Sequence, residues 1–293
     1  MSRVSRRSLA ALAGLGLLAP TRAWAAGHLA ARLAPERARS EAGSGGRLGV
    51  AVLDGTTGER AGHRADERFP LCSTFKLLAA AAVLARVDAG RERLDRRVVF
   101  ARSDLVTYSP VTERRVGEGM ALDEVCEAAM TLSDNTAGNL LLAALGGPAG
   151  LTAALRTLGD GVTRLDRIEP DLNEALPDDP RDTTTPAAML ANLDRLLLGD
   201  ALTPASRERL TGWLVANRTG DARLRAGLPR EWRVGEKTGT GERGTTNDAG
   251  LAWPPGRGPV LVAAYLTGTA APIDARNATL ADVGRAVAAA LAG

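Results

Sequence analysis

The sequence predicts an α+β protein: an antiparallel sheet flanked by helices, with a mostly helical block inserted between the two halves of the sheet. Three observations lead there. A β-like run from Leu48 to Leu53 ends in the turn Asp54-Gly55-Thr56-Thr57-Gly58 and returns as a second strand over residues 60–64. From about residue 74 to 215 the pattern is mostly helical. After Trp213 strand character resumes, over residues 231–238, 247–253 and 260–267. A chain that leaves a sheet, builds helices and then returns to strands keeps its helices apart from an antiparallel sheet.

The elements follow in order. Residues 1–25 read as an export signal, with a basic start at Arg3, Arg6 and Arg7, an apolar run from Leu9 to Ala19, and the small-x-small site Ala23-Trp24-Ala25. The run is too short to span a membrane. The paired Arg6-Arg7 fit a twin-arginine signal as well as an ordinary secretory one. Residues 26–45 form a helix leading into a loop, and Lys76 to Arg86 form an apolar, alanine-rich helix. Two more helices, Leu122 to Thr131 and Thr136 to Leu145, are separated by Leu132-Ser133-Asp134-Asn135. Residues 163–185, rich in Asp, Pro, Arg and Thr, are too long for a mere connector. The turn Pro254-Pro255-Gly256-Arg257-Gly258 joins the last two strands, and a helix over 280–291 ends the chain. The division is therefore a sheet domain from 26–66 and 216–293 around a helical domain at 67–215, with no repeat and no linker between independent modules.

Charge and composition exclude several functions. The formal net charge is +3, but the signal holds four of the 37 basic residues; without it 33 remain against 34 acids, a net charge of −1. Nucleic-acid binding loses its electrostatic support. The two histidines, His28 and His63, lie far from the two cysteines, Cys72 and Cys126, so no metal-ligand spacing exists and neither metal nor cofactor is expected. So few histidines also weaken a Ser-His-Asp triad, for which His63 is the only plausible base.

Of the 37 basic residues only two are lysine, Lys76 and Lys237, in Ser73-Thr74-Phe75-Lys76 and Lys237-Thr238-Gly239-Thr240. Arginine keeps its proton, whereas a buried lysine can lose one and act as a base. Ser73 at a helix start and Lys76 one turn on share a face, which brings hydroxyl and amine within hydrogen-bond reach. The helix N-terminus favours developing negative charge there. As a bare cap and a solvated side chain the pair would be idle, but the apolar Leu77 to Leu84 implies a buried helix, where an idle lysine is costly.

These residues resemble the class A serine β-lactamases, whose Ser-x-x-Lys, Ser-Asp-Asn and Lys-Thr-Gly signature is shared with penicillin-binding proteins. All three motifs occur in family order, at Ser73 to Lys76, Ser133-Asp134-Asn135 and Lys237-Thr238-Gly239, and the similarity extends over the mature chain. The resemblance implies Ser73 as nucleophile and Ser133 as proton donor to the leaving nitrogen. It implies Asn135 as holder of Lys76 and of the substrate's side-chain amide, with the N–H groups of Ser73 and Thr240 as oxyanion hole. Lys237 and Thr238, beside Gly239 on an edge strand, would hold the substrate carboxylate. Asp134 serves equally well as a helix cap. Glu169, in Arg167-Ile168-Glu169-Pro170-Asp171-Leu172-Asn173, matches the deacylating carboxylate, with Asn173 beside the water it activates.

Further matches bear on support and substrate range. Arg167 and Asp182 match the salt bridge that closes the family's omega loop. Tyr108 matches an aromatic gatekeeper and Arg223 an arginine supporting Lys237, while Thr240 adds a hydroxyl near the oxyanion hole. Cys72 lacks its carbapenemase partner, since residue 241 is glycine, and the position that elsewhere pairs with Cys126 is Ala80. Two buried thiols are expected, with a direct Cys72–Cys126 bond as the alternative. The implied protein is an exported monomer, periplasmic or secreted, without a membrane anchor once the signal is cleaved, acting on small-molecule β-lactams. The rival readings are a D,D-peptidase or penicillin-binding protein and a non-catalytic penicillin sensor domain. Whether Lys76 or Glu169 activates Ser73 stays open. Of the two lysines, Lys76 is expected to cycle through its neutral form and Lys237 to stay charged.

Overall fold

Strands from both ends of the chain meet in one sheet. The computed structural model describes residues 27–292, so the export signal expected over 1–25 lies outside the described residues. Helix α1 (His28–Ser44) leads into the hairpin of β1 (Arg47–Asp54) and β2 (Arg60–His63). Strand β3 (Phe69–Pro70) and a 3-10 turn, Cys72–Thr74, feed α2 (Phe75–Asp88). The short pair β4 (Arg97–Val98) and β5 (Met120–Ala121) precedes α3 (Leu122–Thr131), α4 (Asn135–Leu145) and α5 (Gly147–Thr157). After the irregular 159–182 segment come β6 (Thr183–Thr184), which pairs with β3, and α6 (Pro186–Leu193), continued by a π turn, Asp194–Leu198. Helices α7 (Pro204–Val215) and α8 (Leu224–Gly227) lead to β7 (Arg233–Thr240), β8 (Thr246–Trp253), β9 (Val260–Thr267) and α9 (Ile273–Leu291).

The five-stranded sheet has the order β2-β1-β9-β8-β7, antiparallel throughout, so β1 and β9 pair along their full length from Arg47↔Thr267 to Asp54↔Val260. Alternation sorts the side chains by face. Leu48, Val50, Val52, Val262, Ala264 and Leu266 pack against Leu29 and Leu33 of α1 and Leu280, Val283 and Val287 of α9. The opposite face, with Ala51, Leu53, Ala263 and Tyr265, shares one continuous core with α2, α3, α4, α6 and α7. Helix α2 is apolar on nearly all sides and runs through that core, as a helix without a polar face must.

Boundaries differ from expectation in instructive places. The last helix begins at Ile273, not Leu280, because its first two turns are polar or exposed and carry no apolar stripe. The first C-terminal strand runs from Arg233 to Thr240, two residues later at each end than expected, so the whole Lys-Thr-Gly-Thr segment is in the ladder. The apolar pattern of the sequence does not separate helices α5, α6 and α7. Each has proline in its first turn, at Pro148, Pro186 and Pro204, a start signal that the pattern of apolar residues alone does not show.

Candidate active site

The nucleophile turn is tied down from three sides. Leu71 N–H donates to Asp182 O at 2.8 Å, Thr74 Oγ1 to Leu71 O at 2.7 Å, and Asn247 Nδ2, from β8, to Pro70 O at 2.9 Å. Cys72 is held at a φ of +43°, a left-handed conformation sustained by these bonds. Gly239 of β7 sits on this turn: a Cβ there would lie 3.0 Å from Leu71 O and 3.2 Å from Cys72 Cβ. Glycine leaves the room for the edge strand to pack this closely against the nucleophile turn.

Lys76 is buried completely and uses its ammonium fully. Its Nζ lies 3.0 Å from Ser73 Oγ, 2.8 Å from Ser133 O, 2.6 Å from Asn135 Oδ1 and 3.0 Å from Glu169 Oε1. Ser73 Oγ in turn lies 3.3 Å from Glu169 Oε1. Ser133, at a φ of +59° in the loop between α3 and α4, receives Lys237 Nζ on its hydroxyl at 2.9 Å and faces Lys76 Nζ at 3.5 Å. One hydroxyl therefore bridges the two lysines. The path of Lys76 depends on Gly138, where a Cβ would come within 2.7 Å of Lys76 Cε.

The two lysines differ in what surrounds them. Burial pushes both below the usual lysine range, but Lys76 has the Glu169 carboxylate to oppose the shift. Lys237 is driven further down, first by burial and then by the charges of Lys76 and Arg223; its bonds go to Ser133 Oγ and Thr238 O, neither of them anionic. Lys76 thus has a carboxylate against its ammonium, whereas Lys237 donates only to neutral oxygens.

Asp134 caps α4 through Ala137 N–H and also accepts from Val111 N–H and from Thr112 N–H and Oγ1. It is an anchor for the 105–112 loop. Asn135 completes that anchor by donating to Thr107 O and, through its N–H, to Tyr108 O. Tyr108 stands exposed at the rim, with 56% of its surface accessible.

Glu169 is held by a residue that sequence reasoning missed. Asn139 donates from Nδ2 to Glu169 O at 3.0 Å and accepts from Glu169 N–H at 2.8 Å. Asn135 and Asn139 are one turn apart on α4, so a single helix face positions both sides of the cleft; that i, i+4 spacing was the available signal. Asn173 Nδ2 donates to Glu169 Oε2, and Asn173 O accepts from Glu242 N–H at 2.9 Å, joining the loop to the end of the β7–β8 hairpin. Asp182 receives Arg167 Nε at 2.6 Å on Oδ2 and the N–H groups of Asp166 and Arg167 on Oδ1, and Arg167 also reaches Glu174. Removing this buried carboxylate strands three donors. Asp182→Ala should cost about 3 kcal/mol, a Tm lower by roughly 10 °C in a protein of this size. A thermal melt within 2 °C of the parent, ~0.5 kcal/mol on the same scale, would show that the bridge is not structural.

Arg223 is buried, not a solvated surface arginine. It donates to Gly239 O, Asn247 O, Thr240 Oγ1 and Asn277 Oδ1, so it braces the end of β7, the strand that carries Lys237. Asn277, on α9, was not singled out in the sequence. Cys72 and Cys126 are free and buried, and burial pushes both thiols well above the ordinary range. His63 pairs with Glu41 at 3.0 Å on β2 and belongs to the outer surface of the sheet's far edge.

What gathers here is a serine touching a buried amine and a buried carboxylate, a second serine between two lysines, and an edge strand with cationic support. Comparison with known proteins agrees with that chemistry. A family model described as the beta-lactamase enzyme family matches residues 32–291. Beta-lactamase AST-1 of Nocardia asteroides is 51% identical over 257 residues, covering 88% of this chain and 83% of the relative. Beta-lactamase L2 of Stenotrophomonas maltophilia is 49% identical over 241 residues, covering 82% and 80%. Among solved structures, an ancestral class A β-lactamase (GNCA) matches with a TM-score of 0.86 at 66% identity, covering 90% of this chain and 100% of that one. Matched over nearly all its described length, the chain belongs to the β-lactamase enzyme family, as a class A serine β-lactamase.

Proposed function

We infer that this chain hydrolyses the lactam amide of penicillins and cephalosporins in two steps, through an acyl ester on Ser73, and so confers resistance to them. The observation that supports this most is Glu169: a buried carboxylate 3.3 Å from the nucleophile's Oγ, with its other oxygen held by Asn173. The Lys76 ammonium donates to Ser73 Oγ and the Ser73 hydroxyl donates to Glu169, so the carboxylate is the base in contact. A proton passed from Lys76 to Glu169 across 3.0 Å makes the amine the base instead. Ser73 Oγ attacks the lactam carbonyl, and the N–H groups of Ser73 and Thr240 stabilise the oxyanion. The C–N bond breaks as Ser133 gives its proton to the leaving nitrogen, Lys76 replaces that proton, and the proton held on Glu169 returns to Lys76, which leaves the carboxylate ionised. Water beside Glu169 and Asn173 then adds to the ester while Glu169 takes its proton. The C–O bond breaks, Ser73 regains a hydrogen, and the ring-opened acid leaves.

Lys237 and Thr238, beside Gly239, hold the substrate carboxylate. Asn135 holds the side-chain amide, Tyr108 packs on the side chain at the mouth, and Arg223 fixes Thr240. The helical domain at 67–215 supplies the nucleophile and the omega loop, and the sheet domain supplies the edge strand. Export by the N-terminal signal and a monomeric, unanchored state belong to the same reading. Intact-mass spectra after mixing with benzylpenicillin should show rapid return to the free mass; a long-lived adduct on Ser73 would instead indicate a penicillin-binding protein or sensor.

The state of Lys237 sets a pH dependence. Its lowered pKa means that the ammonium is lost at a lower pH than for an exposed lysine, so kcat/KM should fall on the basic side well before the ordinary lysine range. Arginine at position 237 keeps its proton and should shift that limb to higher pH. A limb that stays in place in Lys237→Arg would assign it to another group.

A further inference from the structure

Thr219, in the loop between α7 and α8, belongs to none of the three motifs, yet its hydroxyl lies 2.5 Å from that of Thr238. It is also 2.9 Å from Asn217 Oδ1, which accepts the Thr219 N–H as well. Asn217 is buried and cannot turn over, because its Nδ2 donates to Glu236 O at 2.8 Å, which leaves Oδ1 facing Thr219. Three oxygens therefore form a row, Asn217 Oδ1, Thr219 Oγ1 and Thr238 Oγ1, with two hydroxyl hydrogens to distribute.

One arrangement fills both contacts, and turning the Thr238 hydrogen into the cleft empties one of them; the loss costs least at the longer Asn217 contact, 2.9 Å against 2.5 Å between the hydroxyls. In the first, Thr219 donates to Asn217 and Thr238 donates to Thr219, so Thr238 turns lone pairs toward the cleft. In the second, Thr219 donates to Thr238 and the Thr238 hydrogen points into the cleft, while Asn217 Oδ1 keeps the Thr219 N–H. A carboxylate offers only lone pairs, so it can be bound only in the second. We propose that Thr219 is a positioning residue for substrate recognition: an anionic acceptor reverses the hydroxyl chain, and Thr219 then donates to the Thr238 oxygen that holds the anion. Asn217 Oδ1 still accepts the Thr219 N–H after the reversal, and the Thr219 bond polarises the Thr238 hydroxyl toward the anion. The proposal rests on the reading of Thr238 as a carboxylate ligand.

The test is steady-state hydrolysis of benzylpenicillin by the full protein carrying Thr219→Val, Thr219→Ser, Thr238→Val and the Val/Val double substitution. Thr219→Val keeps the branched shape and loses the hydroxyl; KM should rise about tenfold, the scale of one hydrogen bond, with kcat within about twofold. Thr219→Ser should restore KM. In the Thr238→Val background Thr219→Val should add nothing, because its partner is gone. An equal further rise there, or a loss in kcat with KM unchanged, would make Thr219 merely structural and overturn the proposal. A Thr238→Val protein with parental KM would instead defeat the carboxylate assignment itself, and the proposal with it.

Discussion

Glu169→Ala should acylate and then stall, with deacylation slowed on the order of 10³-fold, within the range that a positioned general base contributes. The asymmetry between the two steps follows from the Lys76–Glu169 pair. Both groups are buried, and the carboxylate is what keeps the Lys76 pKa from falling further under desolvation. Without it the ammonium loses the carboxylate it is paired with, its pKa drops, and a neutral amine remains 3.0 Å from Ser73 Oγ, ready to take the hydroxyl proton. Acylation therefore survives by the amine route. Deacylation has no such substitute, because the water's base and its contact with Asn173 are both gone. Mass spectra with benzylpenicillin should show an adduct on Ser73 that persists at least a thousand times longer than in the parent, on the order-of-magnitude scale of general-base catalysis. Unchanged turnover would remove Glu169 from the mechanism.

Arginine at the two lysine positions should have unequal effects. Lys76→Arg cannot supply a neutral base and has no room: the ammonium has four partners and Cε already passes the bare Cα of Gly138. A loss of acylation of about 10³-fold or more is expected, from both proton transfer and displaced Ser73. Lys237→Arg keeps a cation beside Thr238 and changes only its geometry. A rise in KM of about tenfold to a hundredfold, with measurable kcat, fits the strength of one charge-assisted contact. Stopped-flow acylation of both variants decides the matter; equal losses at the two sites would erase the distinction between them.

Much of the site was legible because much of it is local. Ser73 and Lys76 stand one helical turn apart, and their hydroxyl and amine meet as that spacing requires. The apolar run after Lys76 implied burial, and α2 does run through the core. Ser133 falls between two helices as the pattern indicated, although α4 starts one residue earlier, at Asn135. Asn139 and Thr219 were not legible, since an asparagine on a helix and a threonine in a loop are common and act only through distant partners. The start of α9 was hidden for a different reason: its first turns face water and leave no periodic trace.

By itself the sequence determined which residue types were available and how neighbours along a helix or strand would face: one serine with an amine at i+3, two lysines among many arginines, and an edge strand carrying Lys-Thr-Gly. It could not determine their surroundings. Tertiary structure set Glu169, 96 residues beyond Ser73, against Lys76, and left Lys237 without a carboxylate. It also turned Arg223 toward Thr240. The reason is physical: backbone geometry is settled over a few bonds, whereas desolvation and Coulomb interaction depend on burial and on distances of a few ångströms between groups that only the packed chain brings together.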